Sequence, residues 1–249
     1  MRRGAGRGRG VGGRSKMGSR SSVEDAIDAL RHGKFVLLHD SKDREDEVDM
    51  LIPAQFVTPK SIATMRRDAG GLICLALGYD VASRLGLLYM HDLLNLALDG
   101  RLRSMVSTCS PYGDRPAFSI TINHKDTYTG ITDRDRALTI SKMASVAASV
   151  LNGEDGVAEF ISSFRSPGHV PLLIAAKNLL KERKGHTEMA IYLAERAGLS
   201  PAVAICEMLD STTYDALPFE KAERYAEKHD LCILDASMLM DDAAEHIIY

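Results

Sequence analysis

The chain has 249 residues, 45% hydrophobic and 26% charged, enough to build a sizeable core and typical of soluble globular proteins. No apolar run approaches the roughly 18 to 20 residues that a bilayer-crossing helix needs, and the basic N-terminus lacks the apolar stretch of a secretory signal. Four widely spaced cysteines, Cys74, Cys109, Cys206 and Cys232, form no CxxC pair, which argues against a zinc cluster or a disulfide framework and for a reducing, cytoplasmic compartment.

The formal net charge of −3 conceals an asymmetry. Residues 1–20, MRRGAGRGRGVGGRSKMGSR, carry seven Lys or Arg and no acid, so the rest of the chain is strongly acidic. This Gly/Arg-rich segment has too few apolar residues for a core and reads as a disordered, solvated tail. RNA binding through it is the alternative, disfavoured by the absence of aromatic residues and by the acidic body that follows.

From residue 21 onward, elements follow one another without repeat or linker. SSVEDAIDALRHG predicts a helix capped by Ser22, with Asp25 three residues on and Gly33 as its stop. KFVLLH and VDMLIPA predict two strands, and between them lies an acidic segment. TPKSIATMRRDAGG predicts a helix with Thr58 as N-cap and Pro59 at its first position. LICLAL follows as a buried strand. Residues 80–116 show leucines at mixed spacing and a Pro/Gly-containing loop, SPYGDRP, and carry no clear periodicity. AFSITIN predicts a strand, YTGITDRDR a loop, ALTISKMASVAASVLNG a helix, and AEFISSFR a strand leading into SPGHVPLL. Helix TEMAIYLAERAG, strand AVAICEML, helix FEKAERYAEKHD, strand LCILD and a final short helix complete the chain. The mixture predicts an α+β fold: one domain over residues 21–249, a three-layer α/β/α sandwich around a mixed β-sheet.

Four segments carry chemistry. In HDSKDREDEVDM, residues 39–50, six carboxylates and two basic side chains follow directly on a strand. Such crowding of like charge calls for solvent, a cation or a cationic partner. It is no EF-hand, because Lys42 and Arg44 stand at the third and fifth positions and Leu51 at the twelfth. Arg44, Glu45, Glu47 and Asp49 remain, with hard oxygen donors suited to magnesium or manganese. In RKGHTE, the basic Arg183 and Lys184, then Gly185 and His186, precede a helix whose expected N-cap is Thr187, an arrangement suited to a phosphate or to an ordinary cap. In SPGHV, Gly168 permits a tight turn before His169. In ICEM, Glu207 closes an apolar strand, where a carboxylate is either paired or functional. Cys74 in GLICLAL reads as a small core residue.

These motifs resemble 3,4-dihydroxy-2-butanone 4-phosphate synthase, a family of riboflavin biosynthesis, in its archaeal form. DSKDREDEVDM, SPGHV, RKGHTE and ICEM carry the likeness, in order, with His169 and His186 seventeen residues apart; DAGGLICLAL, FSITIN and TGITDRDRA extend it across roughly residues 21–240. The segment LDSTTYDALPFE departs from the family's glycine-bearing acidic loop, and Asp46 and Val48 stand where the family often has Asn and Gly. The resemblance implies conversion of D-ribulose 5-phosphate to 3,4-dihydroxy-2-butanone 4-phosphate and formate. It implies Mg2+ or Mn2+, two ions per site, ligated through Glu45 and His186. It carries His169 and Glu207 over as catalytic, and it places Arg44, Glu45, Asp49, Arg183, Lys184, Gly185, His186, Thr187 and Glu207 on the substrate, with Asp40, Glu47 and Cys74 close by. A monofunctional homodimer with active sites at the subunit interface, no membrane partner and no nucleic acid completes the expectation. A catalytically inactive sugar-phosphate or metal-binding homologue, or an RNA-associated protein acting through the tail, are the alternatives.

Overall fold

The computed structural model describes residues 21–106 and 109–246; the expected tail, residues 1–20, lies outside them. In chain order the elements are α1 (Val23–Arg31), β1 (Val36–His39), β2 (Val48–Pro53), α2 (Pro59–Thr64), β3 (Cys74–Leu77), α3 (Tyr79–Arg84), α4 (Met90–Ala97), α5 (Gly100–Arg103), β4 (Phe118–His124) and α6 (Asp133–Leu151). They continue with α7 (Gly156–Ser163), β5 (Phe164–Ile174), α8 (His186–Arg196), β6 (Ala202–Glu207), α9 (Phe219–His229), β7 (Cys232–Asp235) and α10 (Ala236–His246).

Local chemistry starts and stops the first helices as the sequence predicts. Ser22 Oγ accepts the Asp25 N–H, and the Asp25 carboxylate accepts the Ser22 N–H, a reciprocal cap on α1. Thr58 and Ser61 cap α2 in the same manner, with Pro59 at the first helical position. The helix then widens into a π-turn, Met65–Ala69, which ends at Gly70 with φ +91°.

The seven strands form one mixed sheet in the order β4-β5-β3-β6-β2-β1-β7. Period-two alternation splits its side chains between two cores. Leu37, Met50, Ile52, Leu75 and Ala204 pack on one face with α2, α6 and α9. Val36, Leu38, Leu51, Cys74, Val203 and Ile205 pack on the other with α1, α8 and α10. Helices therefore cover both faces, and the α/β/α sandwich around a mixed sheet is the observed fold.

Three boundaries differ from expectation. The segment 158–165, expected as a strand, is helical to Ser163, because the Asp155 side chain accepts the Ala158 N–H and starts a turn that seats Phe160 on the core. TDRDR is the first turn of α6, capped by Thr132, rather than loop. Helix α8 begins at His186 with Gly185 as its N-cap, so Thr187 lies inside the helix.

SPGHV lies within β5, where the pairing of Ile122 with Val170 jumps to Asn123 with Arg165. Ser166 through His169 bulge outward opposite one step of β4, which re-aims His169. Gly168 serves close approach: a Cβ there would overlap the backbone of Ile122. The segment after Glu207 closes as a tight turn. Asp210 accepts from the N–H and hydroxyl of Thr212, pairs with Lys221, and accepts the N–H of Tyr214 on its own carbonyl.

Replacing Gly168 with Ala should force β4 and β5 apart. An overpacking cost of about 1–3 kcal/mol should lower the melting temperature by roughly 3 to 10 °C in thermal unfolding.

Candidate active site

Strand register brings the first acidic groups together. Asp49 on β2 stands directly opposite Glu207 on β6, both on the α8 face of the sheet, and Cys74 at the start of β3 pairs with Ile205 two residues earlier. Two carboxylates facing each other across a ladder repel. Asp49 is buried, and burial first, then Glu207 and Glu45 against the opposing pull of His186, push its pKa up to about 7. The Leu72 N–H donates to Glu207 Oε2 at 2.8 Å, and a Cβ on Gly71 would collide with that side chain, so the GG pair lets the backbone reach the carboxylate.

The acidic segment folds back around Asp40. This fully buried carboxylate accepts the N–H groups of Glu45 at 3.1 Å and Glu47 at 3.0 Å, and Arg44 Nη1 at 2.9 Å. The curl sends the Glu45 side chain inward, to meet His186 at the N-terminus of α8. His186 Nδ1 donates to Glu45 Oε2 at 3.1 Å, Nε2 donates to the Glu47 carbonyl at 3.3 Å, and Asp49 lies 3.9 Å away. Burial disfavours the imidazolium, but Asp49, Glu45 and Asp40 outweigh it and raise its pKa to about 9. Burial also works against the charge on Glu45, yet hydrogen bonds from His186 and Tyr112 bring its pKa down to about 2. Burial pushes Glu47 upward, and its carbonyl rather than its carboxylate meets His186.

A cavity of about 260 Å³ gathers Glu45, Asp49, Cys74, Tyr112, Arg183, His186, Thr187 and Glu207. Burial pushes the Cys74 thiol up, with Glu207 and Asp49 adding to the effect, so it is an inert part of the wall. A larger cavity at the opposite end of β1, lined by Asp25, His32 and Asp230, gathers none of these groups.

Residues that sequence reasoning missed hold the site's charged side chains in place. Asp114 accepts Arg44 Nε at 3.0 Å and Nη2 at 2.6 Å and lies 3.7 Å from Arg183 Nε. Tyr112 donates to Glu45 and stacks under Arg44. Both sit in SPYGDRP, whose Pro/Gly content marked only a loop. Glu188 is fully buried, accepting Arg183 Nη1 at 2.6 Å and the Ala176 N–H at 2.9 Å. Its place at the third helical position reads in sequence as ordinary capping.

Two expected residues stand apart. Lys184 is exposed and outside the cavity wall. His169, on the β5 bulge, is exposed and likewise outside it. Asn123 fixes its orientation. The amide donates to the Thr129 carbonyl and to His169 Nδ1 at 3.1 Å and accepts the His169 N–H at 2.8 Å, which leaves the ring proton on Nε2. Gly130, at φ +98°, makes room for this amide.

Among the described residues, Asp40, Glu45 and His186 form the group whose donor atoms all lie within 4.8 Å of one another. Asp40 already spends both oxygens on the loop backbone and Arg44, whereas Glu45 and His186 face each other and buried Asp49 Oδ1 has no hydrogen-bond partner. Hard oxygens beside an imidazole fit magnesium or manganese.

A model of the 3,4-dihydroxy-2-butanone 4-phosphate synthase family matches residues 24–241. The chain belongs to that family. It is 46% identical to the synthase of Archaeoglobus fulgidus, covering 88% of this chain and 92% of that one, and 42% identical to that of Methanothermobacter thermautotrophicus, covering 90% and 96%. A solved synthase in complex with two magnesium ions superposes with a TM-score of 0.75 at 26% identity, covering 91% of this chain and 98% of its own. The chain is thus an enzyme of riboflavin biosynthesis, converting ribulose 5-phosphate to 3,4-dihydroxy-2-butanone 4-phosphate, and the comparisons lend no support to the inactive or RNA-associated alternatives. No helix among the described residues is long and apolar enough to cross a membrane.

Were a cation to sit between Glu45 and His186, it would have to displace the imidazole proton. With that proton held up to about pH 9, metal affinity should rise about tenfold per pH unit between pH 7 and 8.5. Calorimetry in buffers of different ionisation enthalpy should register about one proton released per site at pH 7.5.

Proposed function

We propose that this synthase releases formate as its second product, uses two Mg2+ or Mn2+ ions held through Glu45 and His186, and acts in the cytoplasm as a homodimer. Residues 21–249 form its single catalytic domain, and residues 1–20 are dispensable for chemistry. The observation that carries the reading is the 3.1 Å approach of Glu45 and His186 over the cavity that also holds Asp49 and Glu207.

When bound, the metal supplies Lewis-acid stabilisation of the enediolate charge that proton abstraction creates. Glu45 and His186 position it. Arg44 and Asp49 hold the sugar hydroxyls, and Glu207, anchored by the Leu72 N–H, works beside them as a proton-handling carboxylate. The free N–H groups at the start of α8 around Gly185 and Thr187, with Arg183 at their side, hold the phosphate. Arg183 Nε makes no hydrogen bond among the described residues, with Asp114 3.7 Å away, and would join them. Asp40 and Glu47 shape the loop, and Cys74 lines the floor.

His169 lies outside this cavity and faces solvent with Nε2 free, so a second copy of the chain is proposed to bring it over the neighbouring site. The exposed Leu94, Leu96, Leu102, Met105 and Phe118 supply apolar surface for such an interface.

Formate release from ribulose 5-phosphate should vanish with chelator and return with Mg2+, and Glu45→Gln should be folded yet nearly inactive. Turnover by that variant at the wild-type rate would refute the metal assignment.

Mixing inactive His169→Ala with inactive His186→Ala chains should restore activity, because mixed dimers hold one site with both histidines intact. No recovery after subunit exchange would argue for sites complete within one chain.

Arg183→Ala should raise KM about 10- to 100-fold, from a lost charged contact of roughly 1.5–3 kcal/mol, while Lys184→Ala changes it less than threefold. The same Arg183 change strips buried Glu188 of its cation, so the melting temperature should fall as well.

A further inference from the structure

His39 ends β1 immediately before the acidic loop and takes no part in the cavity. It is 5% exposed, and its ring rests on Phe219 at 4.8 Å between centroids. Both nitrogens meet carboxylates: Nδ1 lies 2.9 Å from Asp235 Oδ2 and Nε2 lies 3.1 Å from Asp46 Oδ1.

The two carboxylates belong to different parts of the fold. Asp235 is the register partner of His39 on the parallel strand β7, and it also accepts from the N–H of Ser237, which ties it to the start of α10. Asp46 is at the outer tip of the acidic loop, with φ +54°, a left-handed backbone that a non-glycine residue adopts only at a cost. Asp40 holds the N–H groups of Glu45 and Glu47 from inside the loop. His39 holds the side chain of the intervening Asp46 from outside. Three consecutive residues are thus fixed from two sides, and their alternation turns Glu45 inward toward His186.

We propose that His39 is a positioning residue that clamps Asp46 to Asp235 and thereby sets where Glu45 stands in the site. The clamp rests on the reading of Glu45 as a metal holder only for its effect on affinity; its effect on the loop stands independently. Partners one step removed from a metal alter affinity about 10- to 100-fold when lost.

Gln in place of His39 keeps a donor near the Nε2 position and Asn keeps one near Nδ1. His39→Gln should therefore bind Mn2+ within about threefold of wild type, while His39→Asn and Asp46→Ala weaken it roughly tenfold. In both weakened variants amide hydrogen exchange at Glu45 and Glu47 should accelerate. Asp46→Gly relieves the left-handed backbone, and in that background His39→Asn should add less than a twofold change. Asp46 is exposed, so Asp46→Ala folds even where a His39 variant does not and then decides the matter. Wild-type Mn2+ affinity and exchange in His39→Asn or Asp46→Ala, or a His39→Gln protein as impaired as His39→Asn, would overturn the clamp. Absence of Mn2+ binding in wild type itself would instead defeat the metal reading, and unchanged loop exchange in the variants would then overturn the clamp.

Discussion

The site depends on one buried cation. Glu45, Asp49 and Glu207 crowd one end of the sheet, and at Asp49 desolvation and the repulsion of the other two both oppose the charge. His186 answers them from the first turn of α8, donating from both ring nitrogens and lying within reach of Asp49. The helix N-terminus adds positive potential at the same point. Without that imidazole and helix end, the inward curl of the acidic loop would bury carboxylates against one another.

The topology makes this meeting possible. β2 runs between β1 and β6, antiparallel to both, so the loop leaving β1 and the end of β6 arrive at the same end of the sheet. Register then decides which side chains point which way. Asp49 and Glu207 fall on the α8 face because their apolar neighbours at even spacing, Leu51 and Ile205, belong to that core. A slip of one residue would turn both carboxylates into the opposite core. Asp40 and His39 both contact the loop between these strands, Asp40 through the backbone N–H groups of Glu45 and Glu47 and His39 through the Asp46 side chain.

Legibility followed periodicity and cap chemistry. α1 and α2 were readable because Ser22, Thr58 and Pro59 satisfy helix starts locally. The short strands were readable from apolar runs bounded by turn residues. Residues 80–116 resisted because α3, α4 and α5 are short and leave Leu94, Leu96 and Leu102 exposed, which erases the apolar stripe that marks a helix. Segment 158–165 misled because Phe160 and Phe164 read as alternating strand residues, while Asp155 starts a helix just upstream. For the site, the acidic loop, the α8 start and Glu207 announced themselves as charges beside apolar strands. Tyr112, Asp114, Asn123 and Glu188 did not, because their partners lie 46 to 70 residues away or, for Glu188, hide inside a normal helix start.

By itself the sequence determined the kinds of groups present and their local settings: hard carboxylates after a strand, a histidine at a glycine-led helix start, a carboxylate closing an apolar strand. Those are short-range properties, dictated by side-chain chemistry and backbone preference within a few residues. Only the tertiary structure decided which groups face one another. It set Asp49 against Glu207 by register, brought Arg44 to Asp114, joined His39 to Asp235 and Asp46, and left His169 on a bulge outside the cavity. The reason is physical: protonation and pairing of buried charges depend on distances of a few ångströms and on desolvation, and both arise only when segments far apart in the chain pack together.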